Sequence, residues 1–482
     1  MTARPSSAPR RRPGRPRRAA ASLACLAALV APVPGCSRER PPNVLLISID
    51  DLRADRLGLY GYARDTSPAI DSLARRGTLF ENAFTTAPWT LPSHMSMMTS
   101  LYPSEHGINP VPMLRWSVRT LPVLPDRFVT LAERLRAAGY ATAAFTNGGY
   151  VQGRLGFQKG FDRYFETHEK DSLPVLEEEV LGWLRGERRR PFFVFLHTME
   201  VHQPFDPPES SIRELGEEPP QLRSFGLFDQ ELIQGGEQEV TPPLLARAGL
   251  LYDAEIRYTD GLIGVVVGEL GARGELDGTL IVLTSDHGEE FYEHGSFGHG
   301  STLYDELLRV PLVMSGPGVA RGRRIDAPAS ILDIMPTVLD LVGSPLEGRR
   351  SGASLAPLLD PSADPAALGD AGAPRVLYAE TRGSRRHLIA VRRGSHKAIL
   401  DLQSGSLELY DLLRDPAETS DLAEASQALA QELRALLEAY RDGASAQAPP
   451  AGGLAIDEET RSRLRALGYD ESAEPPADPG AP

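Results

Sequence analysis

Asn43-Val44-Leu45-Leu46-Ile47-Ser48-Ile49-Asp50-Asp51 is a nearly unbroken apolar run that ends on two carboxylates. A strand with one wet face would alternate polar and apolar residues, so this run predicts a strand buried on both faces. Outward from it, helix signals and strand runs alternate. Ser67-Pro68 reads as a cap and first-turn proline for a helix that Gly77 stops, and Thr130 with Glu133 forms a capping box before a helix ended at Gly139. Apolar runs at 141–146, 192–196 and 280–284 predict further central strands, with helical periodicity over 173–185 and 244–270 between them. The expected fold class is α/β, with helices on both sides of a large, mostly parallel sheet.

From about residue 375 the pattern changes. Short strand runs at 376–379, 387–391, 396–401 and 406–410, then an amphipathic stretch over 424–440, predict a small antiparallel sheet covered by one helix. The expected division is a large domain over 43–374, a small α+β subdomain over 375–442, and a tail over 443–482 with a helical piece near 456–467 and a disordered end. Residues 206–242, rich in Pro, Glu and Gly, read as a long surface insertion placed to shape substrate access.

Residues 1–35 carry seven arginines and no acid, then an apolar run over 19–33, the order of a signal peptide. Val33-Pro34-Gly35-Cys36 closes that run in the manner of a bacterial lipoprotein cleavage box, which makes Cys36 the lipidated first residue and 36–42 a tether. A plain secretory signal and a short uncleaved anchor are the alternatives. The expected location is outside the cytoplasm, periplasmic or cell-surface, on a bacterial membrane. Cys25 and Cys36 are the chain's cysteines, so the mature protein would hold no disulfide. Losing the seven arginines moves the formal charge from −14 to about −21, which argues against nucleic acid as a partner. No obligate protein partner is evident in the sequence.

Ligands of α/β sheets gather at the carboxyl ends of strands, and two acidic clusters stand there: Asp50-Asp51 and Asp286-His287. Three carboxylates and an imidazole suit a divalent metal, although each cluster alone reads more readily as a helix cap. A third cluster, Ala87-Pro88-Trp89-Thr90-Leu91-Pro92-Ser93-His94, sets a hydroxyl at the start of a helical stretch, where free N–H groups favour an oxyanion. Local sequence alone ranks Thr90 or Ser93 as a cap ahead of a nucleophile.

Together these clusters have a family's order. Asn43 to Ile47 with Asp50-Asp51-Leu52, then Thr90-x-Pro92-Ser93, then Thr284-Ser285-Asp286-His287-Gly288-Glu289 and Glu293-His294-Gly295, resemble the sulfatase branch of the alkaline phosphatase superfamily. Tyr252-Asp253-Ala254-Glu255-Ile256, Arg309-Val310-Pro311-Leu312, Asp333-Ile334-Met335-Pro336-Thr337 and Leu409-Tyr410-Asp411-Leu412 extend the resemblance over nearly the whole mature chain. It implies an alkaline phosphatase/sulfatase-like sandwich with a mixed sheet between helices and a smaller C-terminal sheet. It also implies one divalent ion, usually calcium in sulfatases with Mn2+ or Zn2+ as alternatives, held by Asp50, Asp51, Asp286 and His287 together with Thr90.

The chain departs from the sulfatases at the nucleophile. They carry a formylglycine made from Cys or Ser in a Cys/Ser-x-Pro-x-Arg motif, whereas Thr90 and His94 stand at the first and last positions here. Threonine cannot become an aldehyde, because its β-carbon bears a methyl group. Thr146-Asn147-Gly148-Gly149-Tyr150 replaces a Gly-Lys-x-His segment, and His299 replaces a lysine, so the pocket is less cationic. Superfamily phosphodiesterases and the phosphoglycerol and phosphoethanolamine transferases do use threonine. The resemblance therefore implies hydrolysis of a phosphate ester, a phosphodiester or phosphonate, on a small-molecule, glycan or lipid alcohol.

In that reading Thr90 is the nucleophile, and His202, the His-x-Pro match, and His299 are the candidate acids. His94, Asn147 and His197 are candidate substrate contacts, with Asn147 matching a phosphate-binding asparagine and His197 otherwise a hydrogen-bonded structural histidine. A second metal on His197, His202 and His299 is the alternative to a single ion, disfavoured because the Asp-x-x-x-His pair of two-zinc relatives is missing. The competing functions are a sulfuric ester hydrolase without formylglycine, a phosphoglycerol- or phosphoethanolamine-type transferase, and a non-catalytic sulfatase-like lipoprotein.

Overall fold

Asn43–Ile49 is the strand its apolar run predicts, paired in parallel with Phe192–Thr198 on one side and Thr279–Ser285 on the other. The computed structural model describes residues 41–445, apart from 110–113, 116–119, 168–171, 187–190, 222–223, 364–374 and 383–385, together with 452–458 and 470–471. The expected leader, Cys36, the boundary at 374, the helical piece beyond 458 and the last residues of the chain lie outside the described residues.

Side chains of the central strand alternate between two cores. Val44 and Leu46 join Phe193, Phe195, Leu280 and Val282 on one face, covered by helices Thr90–Thr99, Leu131–Ala137 and Ile334–Leu341. Leu45, Ile47 and Ile49 join Val194, Leu196, Ile281 and Leu283 on the other, covered by Pro68–Arg76, Leu173–Arg185 and Pro242–Ala272. Each such buried side chain contributes about 1.5–3 kcal/mol, so packing on both faces fixes the strand and the acids that follow it.

Across the large sheet the order is Arg323–Ile325, Thr78–Phe84, Arg309–Ser315, Thr279–Ser285, Asn43–Ile49, Phe192–Thr198, Ala141–Thr146 and Arg163–Glu166, with Ala329–Ser330 beside Thr78–Phe84. Only Arg309–Ser315 runs antiparallel to its neighbours among these described strands. The fold is thus the expected α/β sandwich with a mixed, mostly parallel sheet.

Val376–Arg382, His387–Arg393, His396–Asp401 and Leu407–Asp411 form the expected small antiparallel sheet. Helix Gln427–Ser445 covers one face through Ala430, Leu433 and Leu437, and the other face packs on Leu303 and Leu308. Its first strand braces two loops of the large sheet: the Glu380 N–H donates to the Thr86 carbonyl at 2.9 Å, and the Thr381 hydroxyl to the Gly300 carbonyl at 2.7 Å.

Two local expectations are corrected, and one strand was not anticipated. Ser67 makes no side-chain cap; its hydroxyl donates to Asp71 and accepts from the Gly58 N–H. Residues 206–242 contain helices Glu209–Glu214 and Leu227–Gln234, and Ile212 and Phe225 are buried, so the segment is tied to the core. In the tail, Gly452–Ala455 is a strand antiparallel to Thr120–Val123. Its glycines and alanine carry no strand signal, and only the distant partner makes it one.

Candidate active site

Asp50 directly follows Ile49 and Asp286 directly follows Ser285, so two parallel neighbours deliver their acids to one edge of the sheet. The Asp50 N–H continues the ladder to the Thr198 carbonyl at 2.9 Å. Asp51 then leaves it, with φ at 57°, a left-handed conformation that costs a non-glycine residue energy and concentrates at functional sites. Tyr252 holds this turn: its hydroxyl donates to the Asp51 carbonyl at 2.6 Å and accepts from the Arg53 N–H at 2.9 Å.

Thr90 is the first residue of its helix and is fully buried. Neither hydroxyl of the cluster caps the helix. Thr90 Oγ1 donates to Asp50 Oδ1 at 3.5 Å and lies 3.4 Å from His287 Nε2, while Ser93 Oγ donates to the Asp286 carbonyl at 2.6 Å.

His287 Nδ1 lies 3.0 Å from the Gly288 carbonyl, which can only accept, so the proton sits on Nδ1. The lone pair of Nε2 then faces Asp286 Oδ2 at 3.3 Å and Asp50 Oδ1 at 3.6 Å. Burial, followed by the charge of His299, keeps the ring neutral by lowering its pKa well below the usual value. Gly288 is required by close approach: a Cβ there would collide with the Glu306 carbonyl oxygen.

Asp50, Asp286 and His287 each offer a ligand atom within 4.8 Å of the others. Asp50 Oδ2, Asp286 Oδ2 and both oxygens of Asp51 are buried and accept no hydrogen bond. Burial pushes the Asp50 carboxyl up to about 6 and Asp286 well above its usual range, the latter helped by the charge of Asp50. Asp51 is raised by burial and then by Glu289, Asp50 and Asp286. Buried carboxylate oxygens left without donors, beside a neutral imidazole, are the donor set a divalent cation satisfies, so these residues fit the metal.

Asp51 reaches the same cluster from the other side of the imidazole, its Oδ1 2.9 Å from His287 Nδ1, and it also has an oxygen within 4.8 Å of a nitrogen of His202 and of His299. His202 Nδ1 donates to the Gln203 carbonyl at 2.6 Å, and its Nε2 is turned toward Asp51 Oδ2 at 3.9 Å. His299 Nδ1 lies 2.8 Å from Glu289 Oε2 and 3.4 Å from Asp51 Oδ1.

The expected substrate contacts fare differently. Asn147 is occupied: its amide donates to Thr167 and Ser172 and its oxygen accepts from the Met199 N–H, which corrects the phosphate-contact reading. His94 lies behind Thr90, its Nδ1–H donating to the Thr90 carbonyl at 3.0 Å and its Nε2 accepting from Ser48 at 2.9 Å, so it positions the helix start. Burial holds His94 down at about 4. His197 is buried against Phe195 and His94 with no hydrogen-bond partner at either nitrogen, which corrects the hydrogen-bonded reading.

Glu289, Tyr252 and Arg53 were missed. Glu289 and Tyr252 stand inside the quoted motifs, but nothing in a sequence separates a buried glutamate from a surface one. Arg53 is buried and ties the Glu289 carbonyl (2.9 Å) to Asp55 and Glu293, which stiffens the loop carrying Asp51.

A family model for sulfatases matches residues 42–344, and one for the C-terminal part of N-sulphoglucosamine sulphohydrolase matches residues 292–443. Arylsulfatase K of Bos taurus is 24% identical over 86% of this chain and 87% of its own length. Two solved structures share the fold. A 2-O GAG sulfatase has a TM-score of 0.69 at 21% identity, covering 87% of this chain and 96% of that one. A phosphonate monoester hydrolase of Agrobacterium radiobacter has a TM-score of 0.67 at 22% identity, covering 86% and 100%. Sulfatases generally use a divalent metal, in keeping with the donor set. Because the first match runs through every strand whose end delivers an acid to this edge, the chain belongs to the sulfatase family of hydrolases.

Proposed function

We propose that this family member hydrolyses a phosphorus ester, a phosphodiester or phosphonate, with Thr90 as nucleophile. The observation that carries the reading is the Thr90 hydroxyl, buried at a helix start between Asp50 Oδ1 and His287 Nε2. Among the described residues no lysine or arginine pairs with Thr90, Asp50, Asp286 or His287, so the pocket lacks the cations expected for a sulfate monoester.

Asp50, Asp51, Asp286, His287 and Thr90 would hold the divalent ion, for which calcium is the family expectation. Bound there, the ion supplies Lewis acidity that favours the threonine alkoxide and draws off charge at phosphorus. Thr90 points its proton at Asp50 Oδ1, which leaves an oxygen lone pair for attack. His94 and Ser93 hold the helix start so that its first-turn N–H groups, which have no acceptor within the helix, meet the developing oxyanion. Attack joins Thr90 Oγ1 to phosphorus and expels the alcohol, and water then cleaves the phosphothreonine and restores the hydroxyl. The charge on the departing oxygen must also be met, and His202 and His299 are the histidines available for it.

The arginine-rich leader and Cys36 support export and lipid anchoring to a bacterial membrane. Among the described residues no helix is long and apolar enough to cross one. A second reading, sulfate ester hydrolysis by threonine, is favoured by the match to arylsulfatase K.

Purified enzyme assayed in parallel on aryl phosphodiester, phosphonate, phosphate and sulfate esters separates the two. Turnover should be fastest on a phosphodiester or phosphonate and should fall on the order of 10^4-fold in Thr90→Ala. A preference for the sulfate, or full activity in Thr90→Ala, would refute the proposal.

A further inference from the structure

We propose that Gln203 and Gln230 form a specificity site for the leaving alcohol, which carries a second hydroxyl beside its ester oxygen, as in an ester of a glycol or another polyol. Such a site deepens the phosphorus-ester reading and rests on it only in placing His202 and His299 beside the departing oxygen.

The two glutamines come from distant segments. Gln203 directly follows His202, and Gln230 lies in helix Leu227–Gln234 of the segment 206–242. Both are almost buried, at 7% and 6% exposure. Gln230 Nε2 donates to Gln203 Oε1. That bond leaves Gln203 Nε2 as a donor and Gln230 Oε1 as an acceptor; with both amides turned over the bond reverses, and one donor and one acceptor remain again. Among the described residues neither remaining atom has a hydrogen bond.

Gly298 shows where those atoms point. A Cβ there would lie 3.7 Å from Gln230 Oε1, 3.8 Å from Glu289 Oε1 and 4.0 Å from Gln203 Nε2, so three polar atoms surround the space its missing side chain leaves. Its φ of 93° also calls for glycine. His299 is the next residue, and its ring centre lies 5.1 Å from that of His202. Gln203 and Gly298 are thus the chain neighbours of the two histidines, and a group held between the amides is joined to the ester oxygen by a short carbon link.

A hydroxyl is the group this pair fits, because it donates and accepts at one atom. A carboxylate or phosphate would face the amide carbonyl and Glu289, an ammonium would face the amide N–H groups, and an alkyl chain would leave both amides unpaired. Packing fixes the pair before a substrate arrives. Phe205 and Phe225 exchange backbone hydrogen bonds at 2.7 and 3.0 Å, and their rings stack with centres 6.3 Å apart. A Cβ on Gly226 would fall 2.7 Å from Pro204 Cβ, so the helix start presses on the residue after Gln203. Arg247, 2.7 Å from Asp229, ties the same helix to Pro242–Ala272. Polar groups already held in place lose little freedom on binding, which favours selectivity.

The ethylene glycol and propyl monoesters of methylphosphonic acid, and the same pair of sulfuric acid, differ only in a hydroxyl for a methyl. The ratio of kcat/KM within a pair therefore reads the site whichever ester centre is preferred. The wild type should favour the glycol ester of its preferred acid by about 10-fold, and the ratio should fall to near one in Gln230→Met and in Gln203→Met. Far-UV circular dichroism and the melting temperature verify folding, and Gln230→Ala and Gln203→Ala replace a methionine variant that fails. Where no alkyl ester turns over, affinities of the same esters by calorimetry supply the ratio. A wild-type ratio near one, no measurable affinity, or a ratio that survives both substitutions overturns the specificity site. A faster phosphonate with a ratio near one leaves the phosphorus-ester reading standing without it. A faster sulfate whose ratio is lost in Gln230→Met refutes that reading and keeps the site.

Discussion

Two regions of the molecule each bury several charges around a residue in left-handed backbone, and they treat those charges in opposite ways. At the joint with the small sheet, Glu418 has φ at 52°, and Lys397 lies 2.8 Å from both Glu418 and Asp305. Arg392 closes the group, 2.8 Å from Asp305 and stacked over Phe84 of the large sheet. Although burial works against it, the charges of Lys397 and Arg392 hold Asp305 down at about 2. At the active edge Asp51 has φ at 57°, and its carboxylate, with oxygens of Asp50 and Asp286, accepts no hydrogen bond. The joint has a counter-charge of its own, Lys397, against both acids, even though burial raises Glu418 to about 7; the ion pairs described at the edge bring Asp50, Asp51 and Asp286 no lysine or arginine. A buried charge with its partner holds parts together, whereas one without a partner marks where a ligand belongs.

That contrast breaks most visibly at Lys397. Lys397→Met leaves Asp305 and Glu418 buried with less compensation and should destabilise the protein by about 3–5 kcal/mol in urea unfolding. A loss near zero would mean the joint is not closed by this lysine.

At the active edge the missing partner can be withdrawn instead. Chelation should lower the melting temperature, by about 2.7 kcal/mol of stability for an ion held at 100 times its Kd, and leave the Lys397 region unchanged in hydrogen exchange. A melting temperature indifferent to chelator would remove the metal from the site.

Removing a charge from the edge should then act with the opposite sign. In chelated protein at pH 8, Asp286→Asn keeps the side chain's shape and replaces a carboxyl whose Oδ1 accepts the His287 N–H but whose Oδ2 is buried without a donor, so stability should rise by about 1 kcal/mol while metal binding falls. A decrease in stability would show that Asp286 already has a structural counter-charge.

Smallest is the effect of His294 near the joint, stacked on Tyr304 and 2.7 Å from Glu306. Burial opposes its charge, yet the hydrogen bond and charge of Glu306 and the Glu418 carbonyl outweigh it and raise the ring to about 9. A raised imidazole contributes stability that is complete below its unfolded value near 6.5 and lost as pH climbs through about 9. Between pH 7 and 9.5 the wild type should lose about 1–2 °C more in melting temperature than His294→Gln. Parallel curves for the two proteins would mean the pair contributes nothing.

Sequence alone determined the sheet and its reactive edge. An unalternating run such as residues 43–49 can only be buried on both faces, and a carboxylate directly after it must then stand at the strand's end; the capping box at Thr130 and Glu133 was equally plain because its residues are neighbours in the chain. These features are local, and so are the rules that read them. What the sequence could not decide was how side chains from distant segments divide the space at that edge. Asp50 and Asp51 are adjacent, yet with φ at 57° at the second they approach opposite nitrogens of the His287 ring. Asn147 occupies a plausible phosphate-binding position, yet Thr167, Ser172 and Met199 take its hydrogen bonds. Hydrogen-bond partners and backbone handedness are set by packing between residues far apart in sequence, and only the tertiary structure could settle them.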